Sequence, residues 1–137
     1  MASLIKDGNR KIQMNIDQIA DEIHRAIMKR EQITPFSDRD ILLSNADAYK
    51  VSSKLCKLRT WQVNGFKIGF TNRSIWPIYG VDQPMWGSMS VNSISYAKNG
   101  ISSIKFSDYC EPRIEPEIVV CFASTPPLRA TEEQIAN

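Results

Sequence analysis

"NGFKIGFT", residues 64–71, is the point where the period of this sequence changes. Phe66, Ile68 and Phe70 alternate with Lys67, Gly69 and Thr71, the two-residue period of a strand. Asn64-Gly65 just ahead of it predicts a turn. Upstream, apolar residues recur every three or four positions instead. Ile12, Ile16, Ile19, Ile23 and Ile27 mark one face of an amphipathic helix over 12–30. Lys29 and Arg30 close it, where the helix dipole favours cations. "TPFSD" (34–38) breaks the pattern with a proline and turn residues. A second helical stretch covers roughly 45–62, with Val51, Leu55 and Leu58 on one stripe and Tyr49 and Cys56 on another. The chain therefore reads as α+β, with a helical region over 1–62 and a strand-bearing region over 63–137.

Downstream, "TNRSIWPIYGVDQPMWG" (71–87) is rich in turn residues and aromatics and predicts a short helix around 73–79. "KNG" (98–100) predicts a turn and "ISSIKF" (101–106) a strand. A further strand runs through "EPRIEPEIVVCF" (111–122). There Ile114, Pro116, Ile118, Val120 and Phe122 share one face. Glu115, Glu117, Val119 and Cys121 share the other. "STPPLRA" (124–130) is a proline-rich connection. In "TEEQIAN" (131–137), Thr131 followed by Gln134 is a capping-box pattern that opens a helix. Glu132 and Glu133 suit its positive end. Two turns are marginal for a helix, so the expectation is an element cut as it begins.

Composition narrows the classes. The 137 residues suffice for one domain. With 17 basic and 15 acidic residues the net charge is +2, and no basic stripe interleaves with aromatics, so nucleic acid is not an expected partner. No apolar run approaches the ~18 residues of a membrane span, and the first residues lack the pattern of a secretory signal. Cys56, Cys110 and Cys121 form neither a disulfide framework nor a metal-ligand spacing. They read as small buried hydrophobes in a reducing cytoplasm. A single histidine, His24 on the first helix, excludes a His-rich zinc centre and leaves only that residue for a Ser-His-Asp triad.

The strand bearing Glu115 and Glu117 remains to be explained. Two positions apart, both side chains point the same way from Cα atoms about 6.5–7 Å apart. Paired carboxylates repel, and one pKa rises unless a cation is present. Three explanations stay open: a hard divalent cation, an acid/base pair, or the exposed face of an edge strand. Val119 and Cys121 on the same face argue against full exposure. Lys67 is the other candidate, placed between Gly65 and Gly69, which let a ligand approach the backbone. Its ammonium can carry a proton or bind a carboxylate, or simply be a solvated strand lysine.

"GFKIGFTNRSIWPIYGVDQPMWG" (65–87) followed by "EPRIEPEIVV" (111–120) resembles the 2-keto-4-pentenoate hydratase branch of the fumarylacetoacetate hydrolase superfamily. The family pattern is G-x-K-I-G-x-T, then a G-V-x-x-P loop, then P-R-x-E-x-E. "PFSDRD" and "DAYKVSSKL" resemble its helical N-terminal portion. The resemblance implies N-terminal helices followed by part of a mixed β-sheet roll, with a C-terminal half that lies outside this sequence. It implies that Glu115 and Glu117 are ligands of Mg²⁺ or Mn²⁺, that Lys67 is catalytic and that Thr71 binds substrate. A third carboxylate ligand is expected from a helix further on. The loop here reads "PMWG" (84–87), where many members carry an acidic residue. The implied reaction adds water to a 2-oxo or 2-hydroxydienoic acid in the cytoplasmic breakdown of aromatic compounds. Decarboxylation of a 4-oxalocrotonate-type 2-oxo acid uses related chemistry and is the alternative. A non-catalytic fragment that acts only through association is a third possibility. Exposed apolar surface at the cut face leads to the expectation of a homo-oligomer.

Overall fold

The computed structural model describes residues 14–41 and 43–136. Helix α1 spans Ile16–Lys29. Asn15 starts it: its side chain accepts the Gln18 N–H at 2.8 Å, and the Gln18 side chain accepts the Asn15 N–H at 3.1 Å. This reciprocal capping box satisfies two donors that the first turn would leave unpaired. The helix thus begins later than the isoleucine stripe predicts, and Ile12 lies outside the described residues. It ends at Arg30, which turns into the left-handed region at φ 58 and donates its N–H to Ala26 and Ile27.

Helix α2 spans Asn45–Leu58, capped by Ser44, whose hydroxyl accepts the Asp47 N–H at 3.1 Å. It stops short of 62 because Thr60 has φ 49, incompatible with a continuing helix. The helices α1 and α2 pack on each other around Ile19, Ala20, Ile41 and Val51, all buried, with Phe36, Leu43, Leu55 and Leu58 closing over them. Of the two stripes on α2, that of Val51, Leu55 and Leu58 therefore faces the core. A 3₁₀ turn over Phe36–Arg39 connects the helices. It is tied to α1 by Arg39, whose guanidinium donates to Glu22 at 2.8 Å and lies 4.4 Å from the Phe36 ring centre.

One member of the isoleucine stripe falls off the core. Ile27 is 39% exposed, and Ala26 is buried in its place. Each four-residue step overshoots a full turn by about 40°, so Ile19, Ile23 and Ile27 drift round the helix, whereas a seven-residue step from Ile19 to Ala26 falls only about 20° short.

Strands β1 (Val63–Gly69) and β2 (Met85–Ser90) form an antiparallel pair. The register sets Phe66 opposite Ser88, Lys67 opposite Gly87, Ile68 opposite Trp86 and Gly69 opposite Met85. Asn64-Gly65 is not a turn. The register shifts between Val63 and Gly65, so this dipeptide makes an irregularity of the bulge kind inside β1. Strand β2 was not legible in the sequence: Gly87, Ser88 and Ser90 carry weak strand propensity. The connection holds a 3₁₀ turn (Arg73–Ile75) running into a short helix α3 (Trp76–Tyr79), where the sequence predicts one. Phe70 leaves β1 at φ 55, with its carbonyl accepting the Trp76 indole N–H at 2.8 Å and its ring against Tyr79.

The mixed arrangement of helices and strands is α+β. The sheet, however, is a two-stranded antiparallel one among the described residues, not a mixed one. The predicted turn at 98–100 forms: Asn99 and Gly100 have φ 53 and 75, and Lys98 and Ile101 exchange both backbone hydrogen bonds. The strand expected over 101–106 does not extend beyond that pair. Residues 111–122 form no ladder either. Ile114 and Ile118 are more than nine-tenths exposed, and Val119 is nearly so. Their sequence suits a strand, but a strand exists only where a neighbour takes up its N–H and C=O groups, and no described segment pairs with this one. The expectation that Val119 and Cys121 would shelter the glutamates fails for the same reason. Cys110 and Cys121 are likewise exposed rather than buried, and only Cys56 is half-buried. Helix α4 (Glu132–Ala136) opens as predicted: Thr131 and Gln134 exchange capping hydrogen bonds at 2.9 and 3.3 Å. No described helix is long and apolar enough to cross a membrane.

Candidate active site

Alternation along β1 turns Phe66 and Ile68 to one face and Lys67 to the other. Gly87 of β2, directly opposite Lys67, has no side chain, and a Cβ built there would meet nothing within 4 Å. The lysine therefore has open space over the hairpin. Into that space come two residues from 48 and 50 positions further along. The Lys67 ammonium donates to Glu115 Oε2 at 2.6 Å and to Glu117 Oε1 at 3.1 Å. The spacing that placed the two carboxylates on one side of their segment thus brings both to a single cation. Thr71, expected at the substrate, lies two residues beyond the end of β1, is exposed, and is not part of this cluster.

Electrostatics follow from the contact. The hydrogen bond that Lys67 donates to Glu115, then that to Glu117, raises the Lys67 pKa above its ordinary value. The Lys67 hydrogen bond and charge hold the Glu115 carboxyl below its ordinary value, with Arg113 adding in the same direction. The lysine thus stays an ammonium and Glu115 a carboxylate across the neutral range. The cluster is not a closed pocket: the side chains of Lys67, Glu115 and Glu117 are 48%, 65% and 54% exposed. Ion pairs this wet contribute little to stability.

Two carboxylates aimed at one positive charge are the hard oxygen donors that Mg²⁺ and Mn²⁺ prefer. Among the described residues no group of three or more His, Cys, Asp or Glu is arranged to hold a metal ion. The donor chemistry at Glu115 and Glu117 fits such an ion but makes up only part of a coordination shell. His24 sits half-buried on α1, away from this cluster in the fold, and takes no part in it.

The sequence reading missed an aromatic arrangement beside the site. Tyr49 of α2 stacks on Trp86 of β2, ring centres 4.7 Å apart and planes 16° from parallel. The Tyr49 hydroxyl accepts the Trp86 backbone N–H at 3.4 Å. Trp86 in turn meets Phe66 edge to face at 5.4 Å. Tyr49 was legible only as one member of a helical stripe, and Trp86 only as an aromatic in a loop. The alternation of Met85, Gly87 and Met89 with Trp86, Ser88 and Ser90 was the signal available for a strand there.

No family model matches the chain, and no solved structure matches it. Two curated proteins do. Over 107 residues the chain is 32% identical to the 2-hydroxypent-2,4-dienoate hydratase of Pseudomonas putida, across 75% of this chain and 47% of that protein. Over 106 residues it is 27% identical to the 2-hydroxyhexa-2,4-dienoate hydratase of Comamonas testosteroni, across 75% of this chain and 40% of that protein. The chain thus spans about half the length, or less, of the curated relatives it matches.

Proposed function

We propose that this chain, which is similar to two diene hydratases over three quarters of its length, carries part of an active site that adds water to a 2-hydroxydienoic acid. The observation that supports this reading is the meeting of Lys67 with both Glu115 and Glu117. The substrate class is an acid whose carboxylate and neighbouring oxygen are both anionic or polar. Such a group suits a site holding a fixed ammonium beside a cation-binding pair of carboxylates.

In this reaction a proton moves from the enol hydroxyl to the terminal carbon of the diene, giving a 2-oxo-3-enoic acid. The remaining double bond is then conjugated with the ketone. Water adds its oxygen at the alkene carbon farther from the ketone and its proton at the nearer one, giving a 4-hydroxy-2-oxo acid. Glu115 and Glu117 would hold Mg²⁺ or Mn²⁺, and the ion when bound supplies Lewis-acid stabilisation of negative charge developing on the substrate oxygens. Lys67, kept protonated by its two neighbours, orients the substrate carboxylate or hands on a proton at Nζ. Thr71, near the end of the same strand, belongs to the substrate side in this reading. Decarboxylation of a related 2-oxo acid would use the same groups, and product analysis separates the two.

The test is Mn²⁺ binding by paramagnetic resonance alongside loss of diene absorbance with 2-hydroxypenta-2,4-dienoate. Glu115→Gln and Glu117→Gln should each weaken Mn²⁺ binding and abolish metal-dependent turnover. Unchanged binding in both variants, or full turnover in excess chelator, overturns the metal role. A second reading has its own support in the exposed run of Ile114, Ile118, Val119 and Val120. Apolar surface of that kind favours self-association. Light scattering on the purified chain should show oligomers, and a monomer at all concentrations would remove that reading.

A further inference from the structure

We propose that Tyr49, on α2, is a positioning residue for Lys67: through Trp86 and Phe66 it sets the roll of the β1–β2 hairpin that aims the lysine at Glu115 and Glu117. The inference rests on reading Lys67 as an active-site group. A two-stranded hairpin alone is marginal in water, so its orientation must come from what it packs on. Helix α2 packs on β2, and Tyr49 makes that contact twice. Its ring stacks on Trp86 and its hydroxyl accepts the Trp86 N–H. Trp86 then holds Phe66 edge to face.

Phe66 and Lys67 are consecutive in a strand, so their side chains leave on opposite faces. Seating the Phe66 face against the aromatic stack therefore decides where the Lys67 face looks. Gly87, paired with Lys67, has no side chain to pack the lysine stem. The glutamates that receive the ammonium are themselves more than half exposed. The stack of rings that links α2 to this hairpin is thus placed to aim the lysine from behind.

The full chain is tested as Tyr49→Leu, Tyr49→Phe and, as a control, Tyr79→Leu, whose ring pairs with Phe70 outside this stack. The first readout is the Lys67 side-chain signal (¹³Cε and ¹⁵Nζ) in nuclear magnetic resonance, assigned by its loss in Lys67→Arg. The second is the split between kcat and KM on 2-hydroxypenta-2,4-dienoate. In Tyr49→Leu the Lys67 signal should move toward that of a free lysine, and kcat should fall about tenfold with KM within about twofold, the scale of losing one aromatic pair. Tyr49→Phe keeps the ring and should restore both, and Tyr79→Leu should leave both unchanged. If Tyr49→Leu does not fold, Trp86→Leu carries the same test from the other side of the stack. An unmoved Lys67 signal in a folded Tyr49→Leu or Trp86→Leu overturns the proposal, as does a Tyr49→Phe variant as impaired as Tyr49→Leu. A moved signal in a chain without hydratase turnover overturns the hydratase reading and leaves the positioning role standing.

Discussion

Replacing Ile19 by alanine is the sharpest test of the helical core. Ile19 is 0% exposed and lies at the centre of the α1–α2 contact. The substitution removes three carbons. At about 0.8 kcal/mol per buried methylene, the transfer loss is about 2.4 kcal/mol. A cavity adds to this wherever the helices cannot close over it, and buried Ile→Ala changes span about 2–5 kcal/mol. We expect about 3–4 kcal/mol. Ile27, on the same sequence stripe but 39% exposed, should cost about 1 kcal/mol or less as Ile27→Ala. Urea unfolding followed by far-ultraviolet circular dichroism reads both. For a slope of about 1–3 kcal/mol per molar, the Ile19 midpoint should drop by roughly 1–4 M. Equal losses in the two variants would refute the drift of the stripe around α1. A loss below about 1 kcal/mol for Ile19→Ala would refute the core itself.

The Lys67–Glu115 contact should weaken at both ends of the pH scale. The Glu115 pKa is lowered, so its contribution is present above its ordinary value of 4.5 and is lost as pH falls through the depressed one. The Lys67 pKa is raised, so its contribution is present below its ordinary 10.5 and is lost as pH rises through the elevated one. Nuclear magnetic resonance titration of the two side chains should show both displaced outward, and ordinary values for both would count against the contact. Asn15→Ala should cost about 1 kcal/mol by removing the capping box of α1. Thermal unfolding checks it, and an unchanged midpoint would show that the cap is not made.

Local chemistry made several features legible in advance. The paired spacing of Glu115 and Glu117, the solitary place of Lys67 on a strand face, and the capping pair Thr131 and Gln134 all depend on residues a few positions apart. Helical and strand periods are local too, so α1, α2 and β1 were readable, and the drift of Ile27 follows once the true period of 3.6 is applied. The same local view misread Asn64-Gly65, because a dipeptide that suits a hairpin turn also suits an irregularity inside a strand. Whether it turns depends on what pairs with the residues on either side.

Tertiary structure decided what no short window contains. Strand β2 exists because β1 supplies a partner for it, although Gly87, Ser88 and Ser90 barely favour one. Residues 111–122 have the better strand sequence and form no ladder, because no described segment pairs with them. Hydrogen bonding in a sheet belongs to pairs of segments, not to either one. The meeting of Lys67 with two glutamates about fifty residues away, and the stacking of Tyr49 on Trp86, likewise join residues that no short window holds together. Residue type and spacing named the charged groups, and only the tertiary fold brought them to one point.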